Sequence, residues 1–215
     1  MSNWHSFLRK QGAIFSDENE VLFKDSLIID EDDKKTSYFV PLIHLGLILL
    51  EGEDAKKFLQ GQVTCDVNQL SEENSISGAI CNPKGRTLTN FQLHQINDEK
   101  LLMVMHHSLI TKSKVELAKY AAFFKVELSD ASDEYALFGF DIKGSKNQYQ
   151  EKHISSSYSY KDGRLVVSCL VEFAEEVWHN FSKKMVSTGT DLWKKSDIKS
   201  GIPTLQEETS DTFVP

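Results

Sequence analysis

The sequence predicts an α+β fold of two adjoining units, and three observations lead there. Short apolar runs with strand character, such as GLILLEG (46–52) and KLLMVMH (100–106), are bounded by turn residues. Each group of such runs is followed by an amphipathic helical stretch, at 107–124 and again at 174–186. The whole pattern restarts near residue 125. The first unit is therefore expected over 1–125 with the tail 190–215, and the second, smaller α+β unit over 126–189.

The elements follow in order. Residues 1–37 are mixed and end in EDDKKTS, a solvated loop by composition. GLILLEG is a buried strand that stops at Gly52. EDAKKFLQ (53–60) is a short helix, with Ala55, Phe58 and Leu59 on one face and Glu53 and Asp54 in its first turn. Gly61 ends it. SISGAI (75–80) and RTLTNFQLHQI (86–96) are strands joined through NPKG (82–85), where Asn, Pro and Gly stand at the positions a tight turn favours. In the second of these strands Leu88, Asn90, Gln92 and His94 share one face, and Thr87, Thr89, Phe91 and Leu93 the other. Both faces are mixed, so one is expected to line something polar. KLLMVMH is the third strand, and 107–124 a helix with Leu109, Leu117, Tyr120 and Phe124 inward. KVEL (125–128), EYALFGFDI (134–142) and RLVVSCLV (164–171) are the strands of the second unit. AEEVWHNFSKKMV (174–186) is its helix, and the tail begins as a helix that breaks at Gly201-Ile202-Pro203.

Composition removes several function classes. Acidic residues outnumber basic ones 32 to 24, a net charge of −8, and the lysines occur only in small groups such as Lys183-Lys184 and Lys194-Lys195. A broad nucleic-acid footprint is not expected of such a chain. The longest apolar run, Tyr38 to Leu50, is interrupted by Pro41 and His44 and is too short for a helix to cross about 30 Å of hydrocarbon. Cys65, Cys81 and Cys169 form neither a CxxC pair nor a zinc pattern. No secretory leader is visible at the N-terminus, and a cytoplasmic location is expected. No P-loop, dinucleotide fingerprint or nucleophile elbow occurs. His106 and His107 stand next to each other at a strand end, where side chains are expected to diverge, a poor chelating geometry. Cys81 beside the hairpin tip would be reactive if Lys84 or Arg86 lowered its pKa, and otherwise is a small buried hydrophobe.

Four blocks in register point further: VPLIHLGLILLEGEDAKKFLQGQVTCDVNQL, GAICNPKGRTLTNFQLH, ELAKYAAFFKVEL and WKKSDIKSGIPTLQEETSDTFVP. Together they closely resemble the YgfZ proteins, folate-binding relatives of the glycine-cleavage T-protein, over residues 38–130 and 190–215. The resemblance implies two α/β-sandwich-like units of the aminomethyltransferase folate-binding fold, without its C-terminal β-barrel domain. The family's K-G-C-Y-x-G-Q-E segment, with its functional cysteine, would follow SDTFVP and is expected to be missing from a chain that stops at Pro215.

The resemblance also nominates site residues, each with a plainer alternative. Trp193 matches the family's aromatic near the folate and would stack on a flat ring, or it simply packs the last helix on the sheet. Leu45 stands where some relatives carry a second tryptophan, a loss of stacking area. Lys84 and Arg86 at the hairpin tip would meet the carboxylates of a folate tail, or belong to a solvated turn. Asp66 resembles an aspartate near the superfamily's ligand cavity, or forms its own turn. Gln60 and Gln62 would offer amides to a pterin edge, or cap the helix end. Thr89 and Asn90 stand where related aminomethyltransferases carry an Asp-Asp pair. Both are neutral and supply neither a base nor a counter-charge, although Asn90 would still border the ligand.

The expected activity is then that of a tetrahydrofolate-binding accessory protein. It would serve iron–sulfur enzymes or their assembly proteins and, indirectly, tRNA modification, with no direct nucleic-acid or membrane contact. The competing readings are a folate-dependent aminomethyltransferase and a non-catalytic folate-binding recruitment module.

Overall fold

The computed structural model describes residues 3–23, 36–72, 74–143 and 152–215. Most of the loop expected over 31–37, and the polar stretch 144–151, lie outside the described residues. In chain order the elements are α1 (Asn3–Lys10), β1 (Ala13–Phe15), β2 (Val21–Phe23), β3 (Tyr38–Pro41), β4 (Leu45–Glu51), α2 (Ala55–Gln60), β5 (Ser75–Cys81), β6 (Thr87–Asn97) and β7 (Lys100–His106). There follow α3 (Ile110–Ala121), β8 (Glu127–Asp130), β9 (Tyr135–Asp141), β10 (Ile154–Ser159), β11 (Leu165–Leu170), α4 (Ala174–Ser182), β12 (Val186–Ser187) and α5 (Thr190–Lys199).

The chain divides into two units, residues 1–44 with 133–202 and residues 45–132 with 203–215. The boundaries differ from those expected, and strand pairing is the reason. Tyr38–Pro41 pairs antiparallel with Phe138–Asp141, and Val186–Ser187 pairs parallel with Tyr38–Phe39. These ladders carry the N-terminal segment into the sheet of the second predicted unit, and α5 goes with it. Only residues 203–215 return to the first.

The unit formed by 45–132 and 203–215 is built on a five-stranded sheet in the order β5-β6-β7-β4-β8, antiparallel throughout. Side chains alternate across each strand. One face collects Ile48, Leu50, Phe91, Leu93, Leu101, Met103 and Met105 into an apolar cluster. Ala55, Phe58 and Leu59 of α2 and Ile110 and Leu117 of α3 join it. The spacing i, i+3, i+4 thus buries the α2 residues it predicted. Tyr120 is the exception on α3. It is 45% exposed, whereas Leu117 is buried. The helix proper starts at Ile110 after a 3-10 turn over His107–Leu109; its buried side chains are Ile110, Ser113 and Leu117, and Tyr120 lies at the solvent edge of their stripe.

The other unit carries a five-stranded sheet in the order β10-β11-β9-β3-β12 and a β1-β2 hairpin. On one face Phe39, Phe138 and Phe140 meet Trp4 of α1 and Trp178 and Phe181 of α4. Phe39 and Trp178 are edge to face at 4.8 Å, and Phe140 and Phe181 lie 4.4 Å apart. Such pairs add to plain area burial. Helix α1 and strand β10 were not expected. The first is two turns of mixed composition, and the second reads ISSSYS, too polar to register as a strand.

His94 on β6 is buried, and desolvation holds its imidazole far below the ordinary value, at about 3. The folded chain therefore keeps it neutral while the unfolded chain takes up a proton below pH 6.5. Stability contributed by this difference is present above pH 6.5 and is lost as the pH falls towards 3. Between pH 7 and 5 the loss from this group alone is about 2 kcal/mol. Urea unfolding at the two pH values should show it, and a His94→Leu variant should show a smaller loss. Equal pH dependence in both proteins would contradict this account.

Candidate functional site

The residues nominated from sequence fall at three places in the unit formed by 45–132 and 203–215, and at one in the other. The first place is α2 and the turn after it. Gly52 leads from β4 towards α2 at φ +142°, and a Cβ there would lie 2.2 Å from the Lys125 carbonyl oxygen, so only glycine fits. Asp54 accepts a hydrogen bond from the Lys125 backbone N–H at 3.0 Å. Gly61 follows α2 with φ −91°, so the helix ends without the left-handed residue that the glycine suggested. Gln60 Oε1 accepts from the Val67 N–H at 2.7 Å. Asp66 accepts from the Asn68 N–H at 3.1 Å, from the Asn68 amide at 3.0 Å and from the Gln69 amide at 3.2 Å. These donors hold its carboxyl below the usual carboxylate range. Asp66 thus bonds its own backbone in a turn, the plainer of its two readings, while Gln60 ties the end of α2 to Val67 rather than capping the helix.

That turn is tied to the sheet edge. Thr64 donates its N–H to the Ala79 carbonyl at 3.0 Å and accepts from the Ala79 N–H at its Oγ1 at 2.9 Å. Cys65 lies over Gly78, where a Cβ would come within 2.6 Å of its sulfur. Burial pushes the Cys65 thiol up, so its thiolate is disfavoured. Gln62 beside it is half-buried, and Leu45, half-buried, opens β4 opposite His106.

The second place is the β5–β6 hairpin tip, which takes the predicted form. Gly85 donates to the Asn82 carbonyl at 2.9 Å and has φ +73°. Asn82 Oδ1 accepts from the N–H groups of Lys84 and Arg86 at 2.8 and 3.0 Å. The Arg86 guanidinium donates to the Thr212 carbonyl at 3.0 Å, so one prong of its fork already holds the tail. Lys84 is exposed, and Cys81 is half-buried.

The third place is Asn90, whose carboxamide donates to the Pro203 carbonyl at 2.7 Å and accepts from the Leu205 N–H at 2.8 Å. Thr89 turns to the opposite side, where its hydroxyl lies 3.7 Å from the Met105 sulfur. Neither position is a carboxylate. At the end of β7 the expectation of diverging imidazoles fails: the His106 and His107 rings lie 4.8 Å apart. The 3-10 turn that starts at His107 breaks the strand alternation. Even so, among the described residues no group of three or more His, Cys, Asp or Glu is placed to hold a metal ion.

Trp193 belongs to the other unit, on α5, and is 1% exposed. Its indole lies against Gly139 of β9, where a Cβ would come within 2.6 Å of the ring. The Arg164 guanidinium sits 4.3 Å from the ring centroid. The stacking surface expected to meet a flat ligand is therefore occupied by protein on both counts. Sequence reading missed Arg164 entirely. Its Nε donates to Asp162 at 2.8 Å, Nη2 to Asp197 at 2.7 Å and Nη1 to the Trp193 carbonyl at 3.2 Å, with Tyr160 5.1 Å away. Burial alone would lower its pKa, but Asp197 and Asp162 reverse that and raise it. Burial raises Asp197, while Asp162, bonded by Ser200 and Arg164, is held below the ordinary range despite its own desolvation. The only sequence signal was Asp162-Gly163 in a turn followed by a basic residue opening an apolar strand.

Two outcomes test this packing. Arg164→Met leaves two carboxylates facing an uncharged neighbour and should cost about 3–5 kcal/mol in urea unfolding, with loss of the near-ultraviolet tryptophan signal. Gly139→Ala should cost about 1–3 kcal/mol by overpacking the indole. Retention of wild-type stability by both variants would show that Trp193 is not held as described.

A model of the GCVT N-terminal domain matches residues 36–148. The tRNA-modifying protein YgfZ of Colwellia psychrerythraea is 30% identical over 193 residues, covering 83% of this chain and 59% of the relative. Its counterpart from Photobacterium profundum is 32% identical over 215 residues, covering 92% and 63%. The chain thus spans less than two thirds of the length of these relatives. Among solved structures, aminomethyltransferase T of the glycine cleavage system from Bartonella henselae superposes with a TM-score of 0.68 at 14% identity, over 88% of this chain and 60% of that one. That likeness shows a shared fold.

Proposed function

The chain belongs to the GCVT N-terminal domain family, as a relative of the YgfZ proteins, and from this we propose that it is a tetrahydrofolate-binding accessory protein. Its clients would be iron–sulfur enzymes or the proteins that assemble their clusters, in the cytoplasm. Enzymes that modify tRNA would depend on it indirectly, in line with the name its relatives carry and with a net charge of −8 that disfavours direct contact with RNA. The observation that carries the reading is identity of 30–32% with those relatives over 83–92% of the chain.

The choice against a transferase rests on Thr89 and Asn90. Transfer of a one-carbon unit needs a group at this strand that can carry charge near the reacting nitrogen. Thr89 is buried and uncharged, and both ends of the Asn90 amide are bonded to the tail. Binding without transfer is the chemistry these side chains favour. A recruitment module would bind the same ligand but would need a nucleotide-binding partner domain, and residues 1–215 hold no P-loop.

Of the nominated residues, Lys84 is the exposed cation best suited to an anionic ligand tail. Gln62 is the amide nearest the turn that makes no side-chain hydrogen bond among the described residues. Titration calorimetry with tetrahydrofolate should give saturable binding, and incubation with an aminomethyl donor and tetrahydrofolate should release no ammonia. Lys84→Glu should weaken a triglutamate form several-fold more than the monoglutamate, the scale of a solvent-exposed charge contact. Failure to bind any folate would remove the proposed function, and equal weakening of both forms would remove the role given to Lys84.

A further inference from the structure

We infer that Asn90 is a positioning residue whose carboxamide stands in for a strand's main chain and seats the Pro203–Leu205 segment on β6. This assignment is independent of folate.

The geometry is that of a missing ladder rung. A peptide unit in a sheet offers one N–H and one C=O to its neighbour. The Asn90 side chain offers the same pair, donating to the Pro203 carbonyl at 2.7 Å and accepting from the Leu205 N–H at 2.8 Å. The strand's own main chain is not used for this. β6 is paired with β5 on one side, with Ala79 opposite Asn90, while its ladder to β7 begins only at Gln92. The tail meets β6 by main chain at Thr87, and at the level of Asn90 the side chain supplies the donor and acceptor.

The residue type follows from that requirement. Proline at 203 has no N–H, so the segment presents a carbonyl at 203 and an N–H at 205. A carboxylate would satisfy the Leu205 N–H but would face the Pro203 carbonyl oxygen with a second acceptor. A serine or threonine hydroxyl is too short to make both bonds at once. An amide of asparagine length meets both. What it seats also matters. Leu205 is buried in the apolar cluster of this unit, so its backbone must enter at a fixed place.

Beyond this point the tail is held by other means. Ser210 donates to the Leu88 carbonyl at 2.7 Å and accepts from Lys112 at 2.7 Å. Asp211 N–H donates to the Thr87 carbonyl at 2.8 Å, and Thr87 N–H to the Phe213 carbonyl at 2.8 Å. Asn90 is thus the entry latch of a strap whose far end is fixed at Thr87 and the hairpin tip. The two ends can be tested separately.

The experiment is residue-resolved hydrogen exchange on the 215-residue chain, corrected for intrinsic rates at each pH. In Asn90→Leu the Leu205 amide should exchange about tenfold faster or more, the loss expected of a net hydrogen bond, while the Asp211 amide keeps its protection. In Asn90→Asp the Leu205 amide should be less protected than in the wild type at pH 7.5, where repulsion between the carboxylate and the Pro203 carbonyl offsets the bond it can still accept. It should regain protection as the pH falls below about 4, where an ordinary aspartate becomes protonated and again offers one donor and one acceptor. Amides of β6 and β7 report whether either variant is folded. Should Asn90→Leu fail to fold, the pH-dependent return of protection in Asn90→Asp decides the matter. Wild-type protection of Leu205 in Asn90→Leu, or protection in Asn90→Asp that does not change with pH, would overturn the assignment. So would an Asn90→Asp variant that loses tetrahydrofolate binding while Leu205 stays protected, the pattern of a ligand contact.

Discussion

The buried guanidinium of Arg164 is the constraint around which one unit is arranged. A charge that is 3% exposed needs opposite charge and full hydrogen bonding, or the fold would not hold it. Asp162 comes from its own β10–β11 turn, Asp197 from α5, and the Trp193 carbonyl from one turn earlier in the same helix. Satisfying Arg164 therefore fixes the position of α5 against the turn. Ser200 adds a bond to Asp162 at 2.6 Å, so the helix is held near its C-terminal end as well. With α5 so placed, the indole of Trp193 has one seat, on the bare backbone of Gly139. Glycine at 139 is a demand of this contact rather than of backbone strain. Burial parts the two carboxyls: desolvation raises the more buried Asp197, while the more exposed Asp162, bonded by Ser200 and Arg164, is lowered despite its own desolvation.

The other unit answers a different requirement, the satisfaction of main-chain groups at the β5–β6 hairpin. Near the tip the ladder shifts register between Ile80 and Cys81, and Thr87 and Leu88 turn polar main-chain atoms outward. The tail meets them with Ser210, Asp211 and Phe213, and Arg86 and Asn82 clasp it from the tip. Four of the charged and amide groups that looked like ligand contacts in the sequence are thereby engaged within the protein. Arg86, Asn90, Asp66 and Gln60 each bond a protein atom.

What was legible in the sequence follows from range. The NPKG turn, α2 with its buried Ala55, Phe58 and Leu59, and the strands from 45 to 106 depend on residues within a few places of each other. Those elements stand as read. The domain boundary depended on pairing between residues about 100 apart in the chain, Tyr38 with Asp141, and no local pattern carries that information. The same holds at the candidate site. Asp66 makes its bonds to residues two and three ahead, and a turn-forming aspartate was one of its two readings. Trp193 kept both of its readings, stacking on a ligand or packing the last helix on the sheet, because nothing near it in sequence announces Gly139 or Arg164.

These partners bear on what a binding site in this family's fold can be made of. A side chain whose donors and acceptors are already matched inside the protein gains little by turning to a ligand, since each new bond replaces an existing one of similar strength. Asn90 is in that condition, Arg86 has one prong of its guanidinium so committed, and Trp193 is covered in its own unit. Groups that exchange water for ligand are favoured instead: the exposed ammonium of Lys84 and the amide of Gln62. Recognition built from such groups would orient a folate through its polar edge and its anionic tail, without a carboxylate at Thr89 or Asn90 to drive transfer. Placing an acid at Asn90 would set a carboxylate against the Pro203 carbonyl, so the docked tail favours a neutral amide at this position.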